Sequence, residues 1–207
     1  MPTTISRRLT TLLLALTCSM GVATAARAGN YSEAIDGDLS GVPASPTAWL
    51  LGEGANVLTG AGGPDDMDVN DYDLVAFTIP AGMQLNSIII TSFGIDGRQN
   101  FFGVQEGSPW LDELGMDVVG TYLIGYELVD LSEVGSDLLQ KMVDVNNPNS
   151  LQPPLASGVY TLLAQDTSSP FSYTLTFNVS NVPEPTGALV AGAALAFAGV
   201  VRRRRRR

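Results

Sequence analysis

The segment 171–179 constrains the fold more than any other part of the chain. Large apolar residues alternate with small polar ones through nine positions, from Phe171 to Val179. This period of two places the apolar side chains on one face of a β-strand and the polar ones on the other. The sequence therefore predicts a sheet with one face on a core and one face in water.

The remaining strands are predicted from shorter runs bounded by turn residues. They lie at 49–51, 56–59, 73–79, 85–91, 101–104, 121–129 and 159–165. Pro80-Ala81-Gly82 marks a turn, so 73–79 and 85–91 are expected to pair as a hairpin. The spacing and the glycines between strands favour an all-β fold, a jelly-roll-like β-sandwich, over βαβ units.

Two short helices are expected as insertions in this sandwich. Ser108 precedes Pro109 at a first helical position and acids in a first turn, which predicts a helix over 108–114. Ser136 is expected to cap a second helix that runs through Met142. Neither is long enough to form a packed layer.

Histidine is absent from the chain, and its one cysteine is Cys18. Residues 29–181 therefore have no Ser-His-Asp or Cys-His nucleophile system and no imidazole or thiolate for zinc. A glycosidase needs only two positioned carboxylates. However, pairs such as Asp36 with Asp38 or Asp112 with Glu113 are more simply interpreted as surface charge. We expect a protein that is not an enzyme, with a carboxylate-dependent glycosidase as the weaker alternative.

Charge is distributed very unevenly along the chain. Residues 29–181 hold 20 acidic residues and two basic ones, Arg98 and Lys141, for a net charge of −18. Such a body repels nucleic-acid phosphates and favours divalent cations or cationic partners. The alternative interpretation is that this charge keeps the protein soluble, a role that requires no ligand.

An acidic loop before the strand 73–79 is the candidate metal site. Five aspartates and one asparagine fall within nine residues beside Gly62 and Gly63, a composition that suits calcium. An EF-hand is rejected because Asp71 stands where that loop needs glycine and Phe77 where it needs glutamate. A solvated acidic loop is the alternative. The candidate calcium ligands are Asp65, Asp66, Asp68, Asn70, Asp71 and Asp73.

Aromatic residues suggest a carbohydrate-binding alternative. Trp49, Trp110, Tyr122 and Tyr126 would stack on sugar rings if they were exposed, although most such residues in a sandwich of this size belong to the core.

The N-terminus has the pattern of a signal peptide over residues 1–28. Arg7 and Arg8 precede an apolar run over 9–22, and Ala26 and Ala28 are the small residues that a signal peptidase reads. Cleavage after Ala28 is the first choice, and 23–25 offers a second site. Cys18 raises a lipoprotein alternative, but Thr17 before it departs from the usual lipobox.

The C-terminal segment 182–207 has three parts in a fixed order. Residues 182–186 contain Val182, Pro183, Glu184 and Pro185, and residues 187–201 form an apolar run that is short for a permanent span. The basic cap consists of Arg202, Arg203, Arg204, Arg205, Arg206 and Arg207. Because guanidinium groups do not readily cross a bilayer, the body is expected on the far side. An ordinary anchor or a basic tail is the alternative.

This tripartite tail resembles the PEP-CTERM sorting signal of Gram-negative bacteria. The resemblance implies a transmembrane helix over 187–201 and recognition of Pro183-Glu184-Pro185 by an exosortase. It also implies an inner-membrane intermediate before delivery to the cell surface or the extracellular matrix. In addition, residues 72–82 and the strand from Gly158 resemble bacterial pre-peptidase C-terminal domains, which are non-catalytic β-sandwiches. We therefore expect a structural or adhesive matrix protein, with a calcium- or carbohydrate-binding module as the alternative and exopolysaccharide as a possible partner.

Overall fold

The fold is all-β and consists of two sheets with a few short helices. The computed structural model describes residues 29–64, 70–94, 99–112, 114, 122–145, 149–166 and 169–183. The strands are β1 (Tyr31–Ser32), β2 (Thr47–Leu50), β3 (Gly54–Pro64), β4 (Asn70–Asp71), β5 (Asp73–Ile79), β6 (Met83–Gly94), β7 (Asn100–Glu106), β8 (Leu123–Val129), β9 (Gly158–Gln165) and β10 (Phe171–Asn181). The helical segments are α1 (Glu33–Asp36), α2 (Leu138–Lys141) and a 3₁₀ turn (Leu131–Glu133).

The two sheets have five strands each. One has the order β1-β3-β10-β6, with β4 paired to β3, and the other has the order β2-β5-β9-β7-β8. All pairings are antiparallel except β1 with β3 and β2 with β5. The all-β prediction is confirmed, and every predicted strand lies within or overlaps an observed one.

The alternating segment that predicted a half-buried strand forms the centre of its sheet. β10 pairs with β3 on one side and β6 on the other, so that Leu175 lies opposite both Leu58 and Ile90. Phe171, Leu175 and Phe177 are buried in the core between the sheets. Phe177 contacts Trp49 and Phe77 of the facing sheet, with ring centroids 5.0 and 5.3 Å apart. Burying one such aromatic side chain contributes about 1.5–3 kcal/mol.

The predicted hairpin between 73–79 and 85–91 is wrong. The turn forms as expected, with Met83 N donating to Pro80 O at 3.1 Å. However, β5 and β6 belong to different sheets, so the turn carries the chain across the sandwich. β5 is buried on both faces because Leu74 packs against Trp110 and Leu163 in a second cluster outside the main core. Turn residues specify a reversal of the chain, whereas burial of both faces favours a central position between two neighbours, β2 and β9.

The helix predicted over 108–114 is also wrong for the residues that the structure describes there. Their backbone groups bond to the Gln105 side chain and to Pro43 in place of a helical ladder. The Gln105 side chain donates to Pro109 O and accepts from Leu111 N, both at 2.9 Å, and Trp110 N donates to Pro43 O. The second helix is confirmed as α2, but its cap is Asp137, which accepts from Leu139 N at 3.1 Å. α1 and the 3₁₀ turn were not predicted.

Candidate functional site

Asp73, one of the candidate calcium ligands, points into the sandwich. It is 1 % exposed, and its Oδ2 accepts a hydrogen bond from the Tyr173 hydroxyl of the facing sheet at 2.8 Å. Its Oδ1 is buried with no hydrogen-bond partner among the described residues. Burial, with a smaller contribution from Glu33, raises the pKa of Asp73 to about 9. Asp73 is therefore protonated at neutral pH in this structure.

Glu33 ties the N-terminal segment to the first sheet. Its two carboxylate oxygens accept from Leu39 N at 3.0 Å and from Ala61 N at 2.6 Å. Burial raises the pKa of Glu33, although these two backbone hydrogen bonds oppose the change. The arrangement is that of a structural clip, because each oxygen holds a backbone amide from a different part of the chain.

The acidic loop is closed at its base by strand pairing. Gly63 lies opposite Asp71 and Pro64 opposite Asn70 in the β3–β4 pair. Asn70 Nδ2 donates to the Tyr72 hydroxyl at 3.0 Å. The candidate ligands Asp65, Asp66 and Asp68 lie outside the described residues. Within the described ranges, no group of three or more acidic side chains is arranged to hold a metal ion.

The four candidate sugar-stacking aromatics separate into two classes. Trp49 and Trp110 are buried, at 2 % and 4 % exposure, and belong to the two apolar clusters. Tyr122 and Tyr126 are exposed by 53 % and 43 %. Only the two tyrosines are therefore available to a ligand.

A groove of about 690 Å³ lies between β8 and the segment that follows α2. β8 is the end strand of its sheet, and Tyr126 is among the residues that line the groove. The opposite wall includes Lys141, Asp144 and Ser150. Tyr126 was predicted as a candidate from the sequence, whereas these polar residues were not, because they are far from β8 in sequence and have no motif spacing.

Of the two candidate carboxylate pairs, Asp36 and Asp112 each accept a backbone hydrogen bond, and Glu113 lies outside the described residues. Asp36 Oδ2 accepts from Ser32 N at 3.0 Å, which caps the start of α1 locally. Asp112 accepts from Tyr122 N at 3.1 Å. Both contacts hold backbone amides of neighbouring segments.

The sorting residues fall almost entirely outside the described residues. Of the motif, only Val182 and Pro183 are described, and Val182 N donates to Gly82 O at 2.8 Å. Glu184, Pro185, the basic cap and the cleavage residues Ala26 and Ala28 lie outside. The described residues contain no helix long and apolar enough to span a membrane.

Comparison with known proteins found no match to a protein-family profile, a curated protein or a solved structure.

Proposed function

We propose that the protein is an exported component of the cell surface or extracellular matrix of a Gram-negative bacterium, with a structural or adhesive role and no enzymatic activity. The observation that carries the proposal is the ordered tail. Pro183-Glu184-Pro185, the apolar run and six arginines follow directly after the last strand. Any one of these parts alone is a weak signal, but their order matches what sorting and processing require.

The proposed organisation has three parts. Residues 1–28 form a signal peptide with a helical apolar run, and residues 29–181 form the exported, jelly-roll-like body. Residues 182–207 form the sorting signal, with a transmembrane helix at 187–201 that holds the body outside the inner membrane until an exosortase acts. Signal peptidase and exosortase are then the processing partners.

The direction of the strands supports this organisation. β10 runs antiparallel to β3, and β1 runs parallel to β3, so the chain enters β1 and leaves β10 at the same end of the sheet. Asn30 precedes β1, and its side chain accepts from Val57 N at 3.0 Å, a position closer to Gly54 than to Pro64 along β3. Both proposed cleavage regions therefore leave the body on one side. The acidic loop follows Pro64, near Phe171 at the opposite end of β10.

The two described ends of the acidic loop, Pro64 and Asn70, lie at the end of the sheet opposite to Asn181. β10 contains 11 residues. At about 3.3 Å per residue, it separates the two ends of the sheet by roughly 35 Å. The proposed sorting signal therefore begins at the other end of the sheet from the base of the loop. This position supports a calcium-binding role for the loop as a second candidate function, because its base is held by the β3–β4 pair.

The sorting proposal is tested by replacing Pro183, Glu184 and Pro185 with alanine. We expect an uncut precursor that stays in the membrane fraction, measured by cell fractionation and by the mass of the product. A variant with the six arginines changed to lysine is the matched control, because it keeps the charge that stops translocation. Release of the alanine variant at the normal rate would contradict the proposal.

A further inference from the structure

Three neighbouring strands of one sheet carry no charge. β3, β10 and β6 contain none of the 20 acidic and two basic residues of 29–181, whereas the other sheet has an acidic residue in each of β5, β7 and β8. We call the outward side of these three strands the neutral face. It consists of alternate residues of β10 and their neighbours on β3 and β6, and the residues that β10 contributes are Ser172, Thr174, Thr176, Asn178 and Ser180. The neutral face is thus an uncharged area on a body of net charge −18.

The middle of the neutral face is aliphatic. Thr176 lies opposite Val57 of β3 and Ile89 of β6, and all three side chains are β-branched and half-buried. Their methyl groups form a low row across the three strands. Polar residues continue the face on both sides of this row, with Thr174 in one direction and Asn178 in the other. An apolar centre within a polar surround is the usual anatomy of a protein–protein interface.

Polar side chains of the neutral face bond to one another. Asn178 Nδ2 donates to Ser87 Oγ at 2.9 Å, and Asn86 Nδ2 donates to Ser180 Oγ at 2.9 Å. These hydrogen bonds satisfy part of the polar capacity within the face, which lowers the cost of removing it from water. They also hold the side chains in place, so less conformational freedom is lost when a partner packs on them.

Carboxylates lie around the neutral face. Glu33, which follows β1, accepts from a backbone amide of β3, and Asp137 accepts from Ile88 N at 3.1 Å along the outer edge of β6. Glu53 accepts from Asn181 Nδ2 at 2.7 Å at the end of β10. Two copies of this acidic body repel each other where carboxylates oppose one another. On the neutral face two copies meet without opposing charges in the contact area, whereas a cationic partner finds no counter-charge on the three strands.

The area of the neutral face sets the strength of such a contact. β3 and β10 contain 11 residues each and β6 contains 12. At about 3.3 Å per residue and about 4.8 Å per strand, the three strands cover roughly 500 Å². Two copies together would bury roughly 1,000 Å², which is at the low end for specific interfaces. The contact is therefore weak and reversible.

We propose that the neutral face is a self-association surface on which a second copy of the chain packs face to face, with Thr176 near the two-fold axis. The inference goes beyond the proposed function and does not depend on the sorting signal. The carboxylates around the face oppose the approach of the second copy, and salt screens their repulsion. Association should therefore become stronger as the salt concentration rises.

The test is sedimentation velocity of the full chain, purified in a non-ionic detergent, with a calcium chelator present to exclude bridging by calcium. We expect a monomer–dimer equilibrium between about 10 μM and about 1 mM protein, shifted toward dimer by added salt. Thr176→Asp and Thr176→Lys should each weaken dimerisation at least about tenfold, because each places like charges against each other. An equimolar mixture of these two variants should restore it, because opposite charges then meet.

Val159→Asp is the matched control. Val159 lies on β9 of the other sheet and is 41 % exposed, so this variant adds the same charge away from the neutral face and should keep the dimer. Asn178→Asp keeps the shape of its side chain, should also weaken dimerisation, and replaces Thr176→Asp if that variant fails to fold. The proposal is overturned if the protein stays monomeric at every concentration or if the charged variants of the neutral face associate like Val159→Asp. It is also overturned if the mixture of Thr176→Asp and Thr176→Lys does not associate. Because purified protein is used, failure here is separable from failure of the sorting test in cells.

Discussion

Asp73→Asn should stabilise the body increasingly as pH rises. Asp73 is buried, and the Tyr173 hydroxyl donates to its Oδ2. Asparagine has the same shape, and its carbonyl oxygen can accept the same hydrogen bond. Its amide replaces the second carboxyl oxygen, which already lacks a partner among the described residues. The substitution therefore removes the titration and leaves the packing almost unchanged.

The size of the effect follows from the pKa difference between the folded and unfolded states. Burial raises the pKa of Asp73 from 3.8 to about 9, so the folded state binds a proton that the unfolded state releases above pH 3.8. Stability is then highest at acid pH and falls as pH rises toward 9. The slope is about 1.4 kcal/mol per pH unit, which gives a loss of about 4 kcal/mol between pH 4 and pH 7. Asp73→Asn should lack this loss.

The assay is urea unfolding of residues 29–183, with and without the substitution, from pH 4 to pH 9 in the presence of a calcium chelator. The difference in the free energy of unfolding should be small at pH 4 and about 4 kcal/mol in favour of the variant at pH 7. Asp38→Asn removes an exposed carboxylate and controls for net charge, with an expected effect within about 0.5 kcal/mol. A difference that stays constant across this pH range would refute a protonated Asp73.

Two further predictions concern a buried glycine and the acidic loop. Gly60→Ala should lower the free energy of unfolding by about 1–3 kcal/mol, because a Cβ there would lie 2.5 Å from the buried Tyr173 hydroxyl. Gly158→Ala is the matched control, since its Cβ would meet nothing closer than 3.5 Å, and thermal unfolding of both variants measures the contrast. Calorimetric titration of the body with calcium should show binding and a higher melting temperature. Alanine at Asp65, Asp66 and Asp68 should abolish both, and the absence of heat at millimolar calcium would end the calcium proposal.

The strands could be predicted because the information for them is local. Alternation over 171–179 indicates directly that one face of the strand is buried. In the structure this strand continues two residues further than predicted, to Asn181. The choice of which strand pairs with which depends on residues that are distant in sequence. The turn residues at Pro80 are compatible both with pairing of β5 to the next strand, β6, and with a crossing to the other sheet, which is what the structure shows. The outer face of β5 is covered by Trp110, which is distant in sequence and packs with Leu74 and its cross-strand partner Leu163.

The environment of the Asp73 side chain likewise could not be predicted from the local sequence. Within the sequence it is the last of a run of acids, and composition alone groups it with the others as a calcium ligand. In the structure it opens β5, and alternation along that strand turns it toward Tyr173, which is 100 residues away. Asn70 and Asp71 remain at the base of the loop, in the pair with β3. A calcium site formed by the loop would therefore draw on residues before β5, while Asp73 stays with Tyr173 between the sheets. If calcium does bind, Asp73→Asn should leave the affinity unchanged, whereas a loss of affinity in that variant would return Asp73 to the ligand set.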